Sequence, residues 1–446
     1  MKLFNKQLTS FRIIILGFLL VILTGCFLLM LPIATRGSEN ASLMDALFTS
    51  TSAVCVTGLI TRDTATYWSQ FGQTVILILI QIGGMGVVTV AAAVTILSGK
   101  RIGLMQRSTM QEAISAHQVG GIVRLTGFIL KASLAIELLG SIIMAPVFCS
   151  VFGFWKGLWY ALFHSISAFC NAGFDLMGVR KPFSSMTTFS TRPLIDIMLM
   201  LLIIIGSIGF STWEDVKINK FHLKKYRMQS KVILSVTVIL IILPAVYFYF
   251  YEFARDCWQL SEFRRVLSSF FQSVTLRTAG FNTVDFGLLS QSSKAVMIIF
   301  MLIGGSPGST AGGMKNTTIA VLFASAVAVF RKKDNATFFG RRINPNVVRY
   351  ASAIFLVYIV LFITGGIAIC IIEDLPLSSC LFESASAIGT VGLSLGITAE
   401  LGTASHLILI LLMFFGRVGI MTMMFATFSG NNTNVSRLPE ERINVG

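Results

Sequence analysis

Apolar and polar positions are segregated in blocks along this chain. Long apolar runs cover residues 11–32, 124–152, 230–251 and 347–372. Each is followed by a shorter apolar run, at 42–56, 156–170, 263–277 and 377–389, then by a polar turn and a second long run, at 70–97, 192–212, 293–330 and 404–428. The long runs reach the ~20 residues that carry a helix across a bilayer, whereas the short ones, of roughly 12–15, do not. The pattern predicts an all-α polytopic membrane protein of eight transmembrane helices and four re-entrant short helices. The units run over 1–98, 99–213 (with a cytoplasmic loop leading in), 214–330 and 331–430, with a tail at 431–446.

A recurring signature sits at the end of each short run. Phe163–Asp175 reads FHSISAFCNAGFD, and its relatives are FTSTSAVCVTGL at Phe48–Leu59, FFQSVTLRTAGF at Phe270–Phe281 and FESASAIGTVGL at Phe382–Leu393. Each closes on a glycine, Gly58, Gly173, Gly280 or Gly392, at separations of 115, 107 and 112 residues. A fixed period of this kind marks a repeat architecture.

Charge gives the units a direction. Only 12% of the 446 residues are charged, against ~25% in soluble domains, and the net charge is +15. The basic residues collect in three loops: Lys100, Arg101, Arg107 and Arg124; Lys217, Lys220, Lys224, Lys225, Arg227 and Lys231; and Arg331, Lys332, Lys333, Arg341, Arg342 and Arg349. That placement between apolar spans excludes nucleic acid as a partner and puts the three loops and both termini in the cytoplasm by the positive-inside bias. Each unit then leaves the cytoplasm and returns to it, so the four are parallel and each short run enters and leaves on the outer side. Non-helical backbone at membrane depth is tolerated where it lines a water-filled path or is buried in protein, which predicts one pseudo-fourfold pore made by four M1–P–M2 repeats. A secondary transporter of another small solute, built from inverted repeats, is the alternative, and the recurring basic loop argues against it. The first apolar run follows Lys2, Lys6 and Arg12 and contains Leu23-Thr24-Gly25-Cys26, but it continues past Cys26 and reads as a retained helix. The seven cysteines show no CxxC pairing and read as small apolar packing residues.

A dehydrated cation at mid-membrane needs oxygen ligands, which rings of backbone carbonyls supply without burying full charges. The candidate filter is therefore Val56-Thr57-Gly58, Asn171-Ala172-Gly173, Thr278-Ala279-Gly280 and Thr390-Val391-Gly392, with the Thr278 and Thr390 hydroxyls as further candidates. Asn171 stands where repeats three and four carry threonine, so that quarter need not ligate as its neighbours do. No ring of four acids flanks the glycines, as magnesium or calcium would want. In the third repeat the second long run is interrupted by Gly304-Gly305-Ser306-Pro307-Gly308-Ser309-Thr310-Ala311-Gly312-Gly313, in which no regular helix persists. It reads as a mobile gate beneath the filter, with Lys315 projecting into the water path. Arg417, inside the last span, reads as pore-facing and as a barrier to cations. Glu137 reads as an inter-helix contact and His164 as a packing or hydrogen-bonding residue. No HExxH, paired-aspartate or nucleophile-elbow pattern occurs, so an enzyme is not expected.

The turns VTGL, NAGF, TAGFN and TVGL, the glycine-rich loop before Gly313-Met314-Lys315, and Arg417 within GRVG resemble the Trk/Ktr/HKT superfamily of potassium transporters over nearly the whole chain, and within it the membrane subunits of bacterial Ktr systems. The resemblance implies gated potassium uptake across the bacterial plasma membrane, often with sodium as activator, and no covalent cofactor. It implies a homodimer on a cytoplasmic ring of regulatory subunits with nucleotide-binding (RCK-type) domains that respond to ATP and ADP. The basic loops at 217–231 and 331–349 are candidate faces for that ring, or for anionic membrane lipids. The tail from Ser429 to Gly446 would lie near the dimer interface. Relatives that prefer sodium carry serine at the first filter glycine, and Gly58 fits the potassium-preferring kind.

Overall fold

The computed structural model describes residues 9–37, 40–98, 102–114 and 120–427. The tail from Ser429, and Lys100 and Arg101 of the first basic loop, lie outside the described residues. The chain begins with α1 (Ser10–Leu29), α2 (Leu43–Val54), α3 (Gln70–Met85) and α4 (Val87–Leu97), then α5 (Leu104–Ile114). Next come α6 (Ile122–Phe152), α7 (Phe154–Phe169), α8 (Pro193–Ser207) and α9 (Phe210–Asn219). The third group is α10 (Met228–Tyr247), α11 (Glu262–Thr275), α12 (Gln291–Met301) and α13 (Asn316–Phe330). A small hairpin, β1 (Thr337–Phe338) and β2 (Arg341–Arg342), pairs Thr337 with Arg342 and leads into α14 (Pro345–Glu373), α15 (Leu377–Gly389), α16 (Thr403–Val418) and α17 (Ile420–Thr427).

This is a multi-pass membrane protein. The spans Ser10–Leu29, Ile122–Phe152, Met228–Glu252 and Pro345–Glu373 are long and apolar enough to cross a bilayer. Their outward faces are apolar: Leu20, Leu23 and Phe27 on α1, Ile142 on α6, Ile239 on α10 and Ile371 on α14 are exposed. Polar side chains such as Ser50, Ser165, Ser273 and Ser384 are buried instead. That inverts the soluble pattern and suits a lipid surround.

The short helices α2, α7, α11 and α15 fall on the four short apolar runs, and each is pinned to the long helix before it. The hydroxyl of Ser50 donates to Ile22 O (2.7 Å), Ser165 to Glu137 O (2.6 Å), Ser384 to Phe362 O (2.7 Å), and Ser273 to Ile241 O. Small residues on the long helices let these pairs close up: a Cβ added at Gly25 or Gly140 would lie 2.5 Å from the serine oxygen facing it.

The second long runs differ from expectation. The stretches 70–97, 192–212 and 404–428 read as continuous helices, yet α3/α4, α8/α9 and α16/α17 bend by 95°, 94° and 91°. The breaks fall at Gly86, Gly209 and Gly419, whose φ values of +86°, +98° and +88° cannot continue a helix. Hydrophobicity does not register such a break, because both halves stay apolar. The boundary at 213/214 accordingly falls inside α9. Likewise α5 packs on α1 and α4 as well as on α6, around buried Ile102, Met110 and Ile114. The interruption of the third run does appear, between α12 and α13.

Candidate functional site

Each short helix ends in the same backbone sequence. Val56, Asn171, Thr278 and Thr390 stand at φ +55°, +58°, +65° and +51°. A non-glycine residue held there costs ~1–2 kcal/mol, and four in one register mark a built feature. The residue after each returns to negative φ, and the glycine beyond it is positive again, at +95°, +69°, +76° and +89°. In an extended strand with uniform dihedrals successive peptide planes face opposite ways. Alternating the sign of φ brings successive carbonyls toward one side.

The four segments close into a ring. A Cβ built on Gly58 would lie 2.5 Å from Ala172 O, one on Gly173 2.7 Å from Ala279 O, one on Gly280 2.7 Å from Val391 O, and one on Gly392 2.0 Å from Thr57 O. Each glycine thus faces the carbonyl of the middle residue of the next segment, and the fourth returns to the first. Residues more than a hundred positions apart meet with no room for a side chain. The C-terminal end of each short helix, which carries about half a negative charge, abuts this ring. Above it opens a cavity of about 280 Å³ bordered by all four glycines and by Asp63, Asp175 and Glu400.

A model of the TrkH family, described as cation transport proteins, matches residues 4–434. The chain belongs to the TrkH family of cation transport proteins. The chain is 37% identical to the potassium/sodium uptake protein NtpJ of Enterococcus hirae, over 99% of this chain and 98% of that one. It is 36% identical to the Ktr system potassium uptake protein B of Bacillus subtilis, over 99% and 97%. The crystal structure of the potassium transporter TrkH from Vibrio parahaemolyticus shares the fold, with a TM-score of 0.74 at 20% identity over 95% of this chain and 86% of that one. It is thus a membrane ion-transport protein of the TrkH family and not an enzyme.

Below the ring of this TrkH-family chain lies a second cavity of about 290 Å³, lined in part by Gly86, Gly308, Lys315 and Arg417. The segment 304–313 crosses there and is bonded along its length. Ser306 N–H donates to Ser207 O (3.1 Å), Thr310 N–H to Gly206 O (3.2 Å), Gly313 N–H to Gly416 O (3.1 Å), and the Thr310 hydroxyl to Phe169 O (3.0 Å). Phe210 N–H donates to Gly308 O at 2.6 Å. Gly312 backs onto the ring itself, since a Cβ there would stand 2.2 Å from Thr390 Oγ1. Arg417 donates to Thr310 O, Gly83 O and Gly84 O (3.0 Å for the last), tying this segment to the end of α3. Lys315 does not project free: its Nζ turns back to Ala311 O (2.8 Å) and Gly312 O (3.4 Å). The carbonyls that a helix would have used internally are free to take both cations.

The remaining sequence candidates are also placed. Glu137 takes two bonds from Gln81 Nε2 (3.0 and 3.1 Å), an inter-helix contact between α6 and α3. The Asn171 amide donates to Thr278 Oγ1 at 3.4 Å, or, with its O and N exchanged, to Ala168 O (3.1 Å) and Ile203 O (3.3 Å). In either setting it bonds protein. The Thr57 and Thr390 hydroxyls are buried without a partner. Sequence reasoning missed Gly83, Gly206 and Gly416, where an added Cβ would stand 2.1, 2.0 and 2.1 Å from Val54 O, Phe169 O and Ile388 O. These carbonyls occupy one register, two residues before the positive-φ residue of the first, second and fourth ring segments, so α3, α8 and α16 press directly on the ends of α2, α7 and α15. It also missed Arg277, fully buried with Nε and Nη1 unpartnered.

Proposed function

We propose that this chain is the ion-translocating membrane subunit of a bacterial potassium uptake system, with one potassium-selective path through the glycine ring. The observation that carries the reading is the ring itself: four segments, each glycine set against the next segment's carbonyl, under an outer cavity and over an inner one. Carbonyl rings replace an ion's hydration shell, and Val56-Thr57-Gly58, Asn171-Ala172-Gly173, Thr278-Ala279-Gly280 and Thr390-Val391-Gly392 supply them. The relatives' names give the cation class, potassium with or without sodium. The protein is four parallel M1–P–M2 repeats about a pseudo-fourfold axis. The segment 304–313, clamped by Arg417 and backed by Lys315, is the gate. Its bonding makes it a latch rather than a loose loop.

The functional unit is a homodimer in the cell membrane, with both termini cytoplasmic and sodium as an activator. It works on a cytoplasmic RCK-type ring that binds ATP and ADP. The exposed Lys217, Lys220, Lys224 and Lys225, and the hairpin with Arg341 and Arg342, supply a basic face for that ring. Rubidium uptake into vesicles holding the full chain alone, with and without sodium, tests the reading. Uptake that prefers rubidium over sodium as the permeant ion is expected. Absence of rubidium flux, or equal permeation of the two, overturns it.

A further inference from the structure

Each short helix carries a buried polar residue one position before its anchoring serine: Thr49, His164, Gln272 and Glu383. A buried polar group left unpaired costs ~1–3 kcal/mol, so the partner of each is informative. In the second and fourth repeats the partner is the same point of the chain beyond the ring. His164 Nε2 accepts the Leu176 N–H at 3.2 Å, while Nδ1 lies 2.7 Å from Tyr160 O, an arrangement that suits the Nδ1-protonated tautomer. Glu383 Oε1 accepts the Leu395 N–H (3.1 Å) and the Ser394 hydroxyl (2.6 Å), and Oε2 accepts the Thr398 hydroxyl (2.8 Å). Leu176 and Leu395 each lie three residues past their ring glycine.

The other two repeats lack this brace. The Thr49 hydroxyl and both ends of the Gln272 amide have no partner. In the first repeat Asp45, a full turn earlier on α2, holds the strand through the Thr61 hydroxyl (2.8 Å) and Arg62 (3.2 Å). In the third, the stretch from Gln272 to Gly280 is one residue shorter than those from His164 to Gly173 and from Glu383 to Gly392. That difference takes the side chain out of register.

The geometry points to Glu383 as a positioning residue for cation discrimination, with His164 as a lesser one, each holding its ring segment from behind. This rests on the filter reading above. A carbonyl that can tilt closes around a smaller cation, so rejecting that cation requires a segment that cannot tilt. Glu383 makes three bonds to the strand after the ring, Asp45 two and His164 one. The hold is therefore unequal around the ring and firmest in the fourth quarter.

The test compares the full chain with Glu383→Ala, Glu383→Gln, His164→Ala and Glu373→Ala in vesicles, measuring rubidium uptake against sodium competition alongside melting temperature in detergent. Glu373 is the control: it accepts from Gly402 N–H (2.8 Å) and the Ser405 hydroxyl (2.5 Å) at the start of α16. Loss of these three bonds in Glu383→Ala lowers the rubidium preference about tenfold. Glu383→Gln, which retains one acceptor oxygen, falls between that and wild type. His164→Ala shows a smaller loss, and Glu373→Ala lowers melting temperature with the preference intact. Wild-type preference in Glu383→Ala overturns the inference, as does a glutamine variant as poor as the alanine one, which would assign the effect to charge. If the alanine variant does not fold, the glutamine variant decides alone, and wild-type preference in it overturns the inference. A wild-type chain without preference removes the filter reading and this inference together; one that discriminates as well with Glu383→Ala removes this inference only.

Discussion

Gly392→Ala probes the ring at its tightest point. A Cβ at 392 would stand 2.0 Å from Thr57 O and 3.0 Å from Gly58 Cα, on a backbone at φ +89°. Two costs add. Holding alanine at positive φ takes ~1–2 kcal/mol, and forcing an extra carbon into a packed site takes ~1–3 kcal/mol more. The contact involves backbone on both sides, so no side-chain rotation relieves it. To restore an ordinary carbon–oxygen contact the first and fourth segments must part by roughly 1 Å, several times the ~0.2 Å tolerance that defines an ion's ligand distances. The variant is expected to fold with a lowered melting temperature and to lose most of its discrimination. The assay is rubidium uptake into vesicles under sodium competition, read beside thermal unfolding in detergent. A folded Gly392→Ala protein with undiminished rubidium preference would show that discrimination is not set at this ring.

Three further outcomes are expected. Arg417→Gln removes charge-assisted bonds to Thr310 O, Gly83 O and Gly84 O, each worth ~1.5–3 kcal/mol. Initial rubidium uptake should rise at least severalfold, and an unchanged rate would refute the latch. Gly206→Ala places a Cβ 2.0 Å from Phe169 O and 2.8 Å from the Thr310 hydroxyl, so its melting temperature should fall by the equivalent of ~1–3 kcal/mol; no fall would mean that α8 moves freely against α7. Asp175, in the loop between α7 and α8, has its carboxyl pushed up to about 7 from 3.8, by burial first and then by the nearby Asp63 charge, against the Met177 N–H and Ser185 bonds. The folded state therefore holds this proton over a window in which the unfolded chain has released it, so stability declines as pH rises from 3.8 toward 7. Asp175→Asn should flatten that decline in melting temperature, and an identical slope in both proteins would exclude the group.

Much was legible along the chain because lipid imposes a one-dimensional rule. A span must be long and apolar, so the positions of α1, α6, α10 and α14 follow from hydrophobicity alone. The short helices α2, α7, α11 and α15 follow from runs too short to cross. The glycines at 58, 173, 280 and 392 stood out because the same local backbone is needed four times. The serine anchors were legible too, third in three of the signatures and one residue nearer the glycine in the other (Ser273), but their meaning depends on the carbonyl opposite. The bends at Gly86, Gly209 and Gly419 were invisible to hydrophobicity, and so was the clamp of Arg417 on the ends of two distant elements.

The sequence by itself determined that this is a membrane helix bundle carrying one short signature four times, because burial in lipid and local dihedral demands are written in residue type and spacing. Only the tertiary structure decided that the four glycines close on one another, that Lys315 and Arg417 spend their charge on backbone carbonyls, and that Glu383 and His164 hold their strands while Gln272 does not. Those facts depend on angstrom-scale approaches between residues a hundred or more positions apart, and a shift of one residue, as in the third repeat, reverses the outcome without altering composition.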